Sequence, residues 1–155
     1  MPSDSTTTSG IEMTSMTVEF CDTNVLVYAY DGTEPKKHAS ALSLVERLWE
    51  ERSGALSIQV LGEFYVTVRR KIPKPLSAPE ARSALADLST WTVHTPSAET
   101  VLSATDIAER YQLNYWDALI VQAARELGAL TLWSEDLRSG ATYQGVRVRN
   151  PFAED

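Results

Sequence analysis

The stretch Val18-Glu-Phe-Cys-Asp-Thr-Asn-Val-Leu-Val-Tyr-Ala-Tyr30 places Asp22 in the middle of a mostly apolar run. The run begins as a buried strand and turns over around Asp22 to Asn24. A carboxylate at such a place is costly to bury unless it is paired, hydrogen-bonded or bound to a metal. On position alone two readings of Asp22 stand: a turn aspartate capping the next helix, or a functional acid at a strand end. Thr23 and Asn24 beside it suit either.

Outward from this stretch, strand and helix patterns alternate. Residues 36–51 carry Ala41, Leu44, Val45 and Leu48 at helical spacing. Ala55-Leu-Ser-Ile58 reads as a short strand. Residues 59–71 read as a helix with Val60, Leu61, Phe64, Tyr65 and Val68 on one side, and Pro73 and Pro75 then break the chain. Ser77 opens a further helix as N-cap, with Pro79 in the first turn and Glu80 three residues on. Trp91-Thr-Val-His94 is a third strand. Residues 97–112 form a helix with the stripe Val101, Leu102, Ile107 and Ala108. Residues 115–127 form another, with Trp116, Leu119, Ile120, Ala123 and Leu127 inward and Gly128 ending it. Leu130-Thr-Leu-Trp133 and Val146-Arg-Val-Arg149 supply closing strands. Such alternation predicts βαβ units: an α/β domain with a mostly parallel sheet and helices on both faces. The functional crevice of such a sheet lies at the carboxyl ends of its strands.

Four acids fall at those ends. Asp22 closes the first strand, and Glu63 lies one turn into the helix after the second. Asp117 sits in the first turn of the helix over 115–127, and Asp136 follows the Leu130–Trp133 strand in the turn Ser134-Glu-Asp136. Singly, each has an ordinary reading. Glu63 suits the dipole of a helix start, Asn114 and Asp117 form a capping pair, and Ser134-Glu-Asp136 is a polar turn. Together they share one sheet edge, where four carboxylates repel one another unless a cation neutralises them. Oxygen donors without histidine or cysteine point to Mg²⁺ or Mn²⁺.

A chain of 155 residues suits one domain with a real core, and 43% apolar and 23% charged residues is ordinary globular composition. Cys21 stands alone, so no disulfide forms within the chain. With only His38 and His94 besides, no cysteine–histidine zinc constellation forms either. A reducing, cytoplasmic setting is expected. No apolar run approaches the roughly 20 residues that cross a bilayer. Residues 1–16 are polar, Ser/Thr-rich and free of basic residues, so they are expected to form a disordered tail rather than a secretory signal. Met13 and Met16 are alternative starts, and the domain is expected over 17–152.

The net charge of −7 counts mildly against a nucleic-acid partner, since phosphates call for cations. Arg69, Arg70, Lys71 and Lys74 gather locally, as a solvated helix end or as a steering patch for RNA. Trp49, Trp116 and Trp133 read as core or core-edge aromatics, with base stacking the other use of such a ring. Rival enzyme classes lack their parts. A haloacid-dehalogenase-like phosphatase wants an acid where Asn24 stands. That class and phospho-receiver domains also need a late lysine, and the last one here is Lys74. A dinucleotide-binding turn needs glycines, and Asp22-Thr-Asn-Val has none.

The segments FCDTNVLVYAY (20–30), LSIQVLGEFYV (56–66), NYWDALIVQAA (114–124) and LWSEDL (132–137), in that order, resemble the PIN-domain ribonucleases. Within these, they look most like the VapC-type toxins of bacterial toxin–antitoxin systems. The resemblance spans roughly residues 18 to 152. It implies a PIN-like three-layer α/β/α sandwich with a mostly parallel central sheet. It makes Asp22, Glu63 and Asp117 metal ligands, Asp136 the fourth acid, and Asn24 and Ser134 polar supporters. Many members carry Thr where this chain has Ser134, which keeps the hydroxyl. Glu135 adjoins Asp136, and the spacing from the strand favours Asp136. The implied activity is hydrolysis of RNA phosphodiester bonds with one or two Mg²⁺ or Mn²⁺ ions. The implied partners are RNA, a cognate antitoxin that covers the acidic site, and a second copy of the chain joined through its early helices. The other expectation is a PIN-like RNA- or protein-binding scaffold that has lost catalysis.

Overall fold

Strand β1 (Glu19–Cys21) lies at the centre of a six-stranded sheet, which explains why its sequence is apolar on both sides: Phe20 and Cys21 are fully buried. The computed structural model describes residues 17–153, so the expected tail over 1–16 lies outside the described residues. After β1 come α1 (Thr23–Tyr30), α2 (Pro35–Glu51), β2 (Gly54–Ser57), α3 (Ile58–Arg70) and α4 (Ala78–Leu88). The chain continues through β3 (Thr92–His94), α5 (Ala98–Tyr111), α6 (Tyr115–Glu126), β4 (Thr131–Trp133), β5 (Thr142–Tyr143) and β6 (Val146–Arg149).

The strands stand in the order β3-β2-β1-β4-β6-β5. Every pairing is parallel except that of β5 with β6. Helix α6 lies across β2, β3, β4 and β6 with α5 packed on it, while α2 and α3 rest on β2 and are joined to α1 and α4. The result is a three-layer α/β/α sandwich. Its core includes Phe20, Leu48, Leu56, Phe64, Ile120 and Leu132, all with 2% exposure or less. No helix among the described residues is long and apolar enough to cross a membrane.

The helix starts follow local hydrogen bonding. Ser77 and Glu80 form the expected reciprocal cap on α4, and Ser97 with Thr100 forms a similar one on α5. The hairpin strand β5 was not expected from the sequence. Two residues are too short to show periodicity, and its turn rests on the positive φ of Gln144 (51°) and Gly145 (85°).

Expectations of burial are corrected on α5, α3, α2 and α6. On α5 the buried residues are Thr100, Ala104 and Ile107, while Val101 and Leu102 are 42% and 59% exposed. Small side chains let α5 approach α6 closely, so the inward face is not the most apolar one. Tyr65 on α3 and Trp49 on α2 are each 38% exposed, and Trp116 is 61% exposed. Trp116 occupies the first turn of α6, at the rim of the crevice described next. Trp133 alone of the three expected tryptophans is buried.

Candidate active site

From β1 the sheet grows through β2 and β3 on one flank and through β4 on the other. The order therefore reverses between β1 and β4, and the crevice of an open parallel sheet forms at the carboxyl ends of such a pair. Asp22 stands there, its backbone N–H donating to the Trp133 carbonyl at 2.9 Å. Its side chain serves both readings of the sequence. Oδ1 accepts from the Thr23 N–H at 2.8 Å as the cap of α1, and Oδ2 accepts from Ser134 Oγ at 2.8 Å. Ser134, fully buried at the end of β4, also accepts the N–H groups of Asp136 (3.2 Å) and Leu137 (3.3 Å) and so shapes that loop. Burial pushes the Asp22 carboxyl up to about 7. The bonds from Ser134 and Thr23 oppose this, and the charges of Asp136 and Glu63 add to it.

Glu63 projects from the exposed side of α3 toward Asp22. Its Oε1 accepts from Thr23 Oγ1 at 2.7 Å and its Oε2 from Gln59 Nε2 at 3.1 Å. Asp117 is held by its cap: Asn114 Oδ1 accepts from the Asp117 N–H at 3.0 Å, and Asn114 Nδ2 donates to Asp117 Oδ2 at 2.8 Å. Burial raises the Asp117 carboxyl as well, Asn114 opposes it, and the charges of Asp136 and Glu63 raise it further. The same two acids thus press on both Asp22 and Asp117. Glu135 is engaged elsewhere: its carboxylate pairs with Lys37 and its N–H donates to Asn24 Oδ1 at 3.2 Å. Asp136 is the acid of that turn whose charge reaches Asp22 and Asp117.

The family model described as PIN domain matches residues 20–142.

This chain belongs to the PIN domain family.

No curated protein matches it. Among solved structures it is similar to a toxin–antitoxin complex from Klebsiella pneumoniae, at 20% identity and a TM-score of 0.66, over 86% of this chain and 97% of that one. It is similar to VapBC2 from Rickettsia felis bound to a promoter DNA fragment, at 24% identity and a TM-score of 0.61, over 86% and 98%. It also resembles VapC20 from Mycobacterium tuberculosis, described as a sarcin–ricin loop cleaving toxin, at 20% identity and a TM-score of 0.56, over 73% and 85%. At these identities the likeness is one of fold.

The donor chemistry of this PIN domain suits a hard divalent cation. Among the described residues no lysine, arginine or histidine pairs with Asp22, Glu63, Asp117 or Asp136. Their hydrogen-bond partners are neutral hydroxyls, amides and backbone N–H groups, which orient carboxylates without cancelling charge. An all-oxygen set with uncompensated charge is what Mg²⁺ and Mn²⁺ prefer. As the side chains lie, no three acids among the described residues already enclose a metal position. A metal bound there would call for rotation of side chains such as the exposed Glu63 and Asp136.

A cleft of about 1100 Å³ leads away from these acids between α1 and α3, past Thr23, Tyr28 and Thr67 to Lys71. Lys71 is the member of the basic cluster that lines it. Arg69 instead donates to the Leu76 carbonyl at 3.0 Å and ties down the loop after α3. His94 is buried and bonds Glu126 at 2.7 Å, and His38 Nδ1 meets the Tyr28 carbonyl, so both histidines serve the scaffold. Sequence reasoning missed Gln59 and Lys37. Gln59 carried a readable signal, standing four residues before Glu63 on one helix face. Lys37 carried none, being 98 residues from Glu135.

Proposed function

We propose that this PIN domain is a Mg²⁺- or Mn²⁺-dependent endoribonuclease, the toxin of a type II toxin–antitoxin pair. The observation that carries the reading is the gathering of Asp22, Glu63, Asp117 and Asp136 at the β1/β4 switch point, with no cationic side chain among the described residues paired to them. A divalent ion held there supplies Lewis acidity to a phosphodiester and lowers the pKa of a coordinated water. Asp22 and Asp117 are the anchoring ligands, since each is fixed by hydrogen bonds from neutral donors. Glu63 and Asp136, exposed and able to turn, would complete the set, and one of them would orient the attacking water or take its proton. Asn24 lines the cleft, and its buried Nδ2 has no hydrogen-bond partner among the described residues, a donor that a small turn of the side chain would offer to a phosphate oxygen.

RNA as substrate is supported by the description of the Mycobacterium tuberculosis neighbour as a loop-cleaving toxin. An antitoxin is supported by the Klebsiella pneumoniae neighbour, which is a toxin–antitoxin complex. The cleft beside the acids has the size for an extended antitoxin segment, and its acidic end attracts a cationic side chain. Homodimerisation and a cytoplasmic setting are part of the same reading.

The test is cleavage of a labelled total RNA pool by antitoxin-free protein, wild type against Asp22→Asn, with Mg²⁺, Mn²⁺ or EDTA. Discrete fragments that need metal and vanish in the variant are expected. Cleavage that survives in EDTA or in Asp22→Asn overturns the assignment. A metal-loaded protein that is inert on RNA from many sources favours the scaffold.

A further inference from the structure

Trp116 is the most exposed aromatic ring among the described residues, at 61%, yet it adjoins Asp117 in the first turn of α6. We propose that its indole is a nucleobase platform, on which a base of single-stranded RNA stacks beside the phosphodiester held at the carboxylates. The proposal rests on the ribonuclease reading above and names a substrate-contacting residue for it.

The position is set by the site itself. The Trp116 carbonyl accepts a hydrogen bond from Gln59 Nε2 at 3.4 Å, and the same Nε2 donates to Glu63 Oε2 at 3.1 Å. Trp116 is thereby fixed on a bridge between the helix that carries Asp117 and the helix that carries Glu63. The Tyr115 and Trp116 rings meet edge-on, with centroids 5.0 Å apart and planes at 76°. In such a contact at least one indole face stays clear of the tyrosine, and a flat exposed face is what a base requires.

Charge argues for the same use. The chain carries a net −7, and of the cations near the crevice Lys37 is engaged with Glu135 and Arg69 with the Leu76 carbonyl, which leaves Lys71 as the lysine of the basic cluster that lines the cleft. A metal neutralises the acids, and among the described residues one lysine lining the cleft is a sparse basic track for flanking phosphates. Much of the affinity for neighbouring nucleotides then comes from contacts that need no positive charge, and stacking on an aromatic face is the main one of that kind.

The experiment uses the full chain with Mg²⁺, in an Asp22→Asn background that prevents cutting. Short oligoadenylate and oligouridylate are titrated while tryptophan fluorescence and oligonucleotide anisotropy are followed. Quenching is expected in this parent and should be lost in Trp116→Phe, which keeps most of the affinity. Trp116→Ala should weaken binding by about tenfold to a hundredfold. In the cutting-competent protein Trp116→Ala should raise KM by the same factor and leave kcat unchanged. Circular dichroism should show every variant folded, because the ring is exposed.

Quenching that persists in Trp116→Phe, or an unchanged affinity in Trp116→Ala, overturns the platform. So does RNA-free sedimentation in which Trp116→Ala turns a dimer into monomers, since the ring would then be covered by a second copy. RNA cleavage with a KM indifferent to Trp116 sinks the platform alone. Oligonucleotide binding through Trp116 without cleavage sinks only the nuclease reading. No oligonucleotide binding at all overturns both.

Discussion

Ser134 Oγ donates a 2.8 Å hydrogen bond to Asp22 Oδ2 across 112 residues of sequence, and both groups are buried. The bond joins the ends of β1 and β4 at the crevice between them. A buried carboxylate oxygen deprived of such a donor keeps its desolvation cost and loses its compensation.

Ser134→Ala should therefore destabilise the protein by about 2 kcal/mol, because Asp22 and the N–H groups of Asp136 and Leu137 all lose a partner. Metal affinity should fall about tenfold to a hundredfold, as it does when groups that orient a ligand are removed. Ser134→Thr keeps the hydroxyl and should recover most of both. Thermal melting and Mn²⁺ titration calorimetry on the three proteins check this. An alanine variant that binds metal as tightly as wild type would contradict it.

The Asp22 carboxyl, raised from an ordinary 3.8 to about 7 chiefly by burial, makes the metal-free protein sensitive to pH in a defined sense. Between those values the native state holds a proton that the unfolded chain has lost. The contribution of Asp22 to stability thus falls as pH rises through this window and levels off above it. Asp22→Asn removes the penalty. The metal-free variant should be more stable than wild type near pH 8, by up to about 4 kcal/mol, and equal to it near pH 4. Saturating Mn²⁺ should reverse the order, since only wild type gains the binding energy. Melting curves across pH, with EDTA or Mn²⁺, read both signs.

Gly54 in β2 makes room for an indole. A Cβ there would stand 2.4 Å from Trp91 Cε3, far inside contact distance. Trp91 in turn packs edge-on against Trp49, with centroids 5.4 Å apart. Gly54→Ala should cost about 2 kcal/mol by overpacking, and Trp91→Leu should rescue most of that loss. Denaturant midpoints of the two single variants and the double variant test the coupling. Additive losses would show that the ring is not what the glycine accommodates.

The helix starts were legible because their hydrogen bonds are local: Ser77 with Glu80, and Asn114 with Asp117, meet within one turn. The parallel order of the sheet followed from the alternation of strand and helix patterns, and the strand ends then told where to look for acids. Gln144-Gly145 turned the chain without any periodic signal, so β5 escaped notice.

The amino-acid pattern by itself determined the α/β class, most of the elements and the candidate carboxylates, because propensity, capping and apolar spacing act over a few residues. Tertiary structure decided which way each pattern faces. The spacing on α5 allowed Val101 and Leu102 inward, but close packing on α6 selected Thr100 and Ala104. Tertiary structure also turned Glu135 to Lys37, left Asp136 to the site, bound Ser134 to Asp22 and set Trp116 in the open. Each of these depends on groups far apart in the chain, and only the folded sheet sets the distances between them.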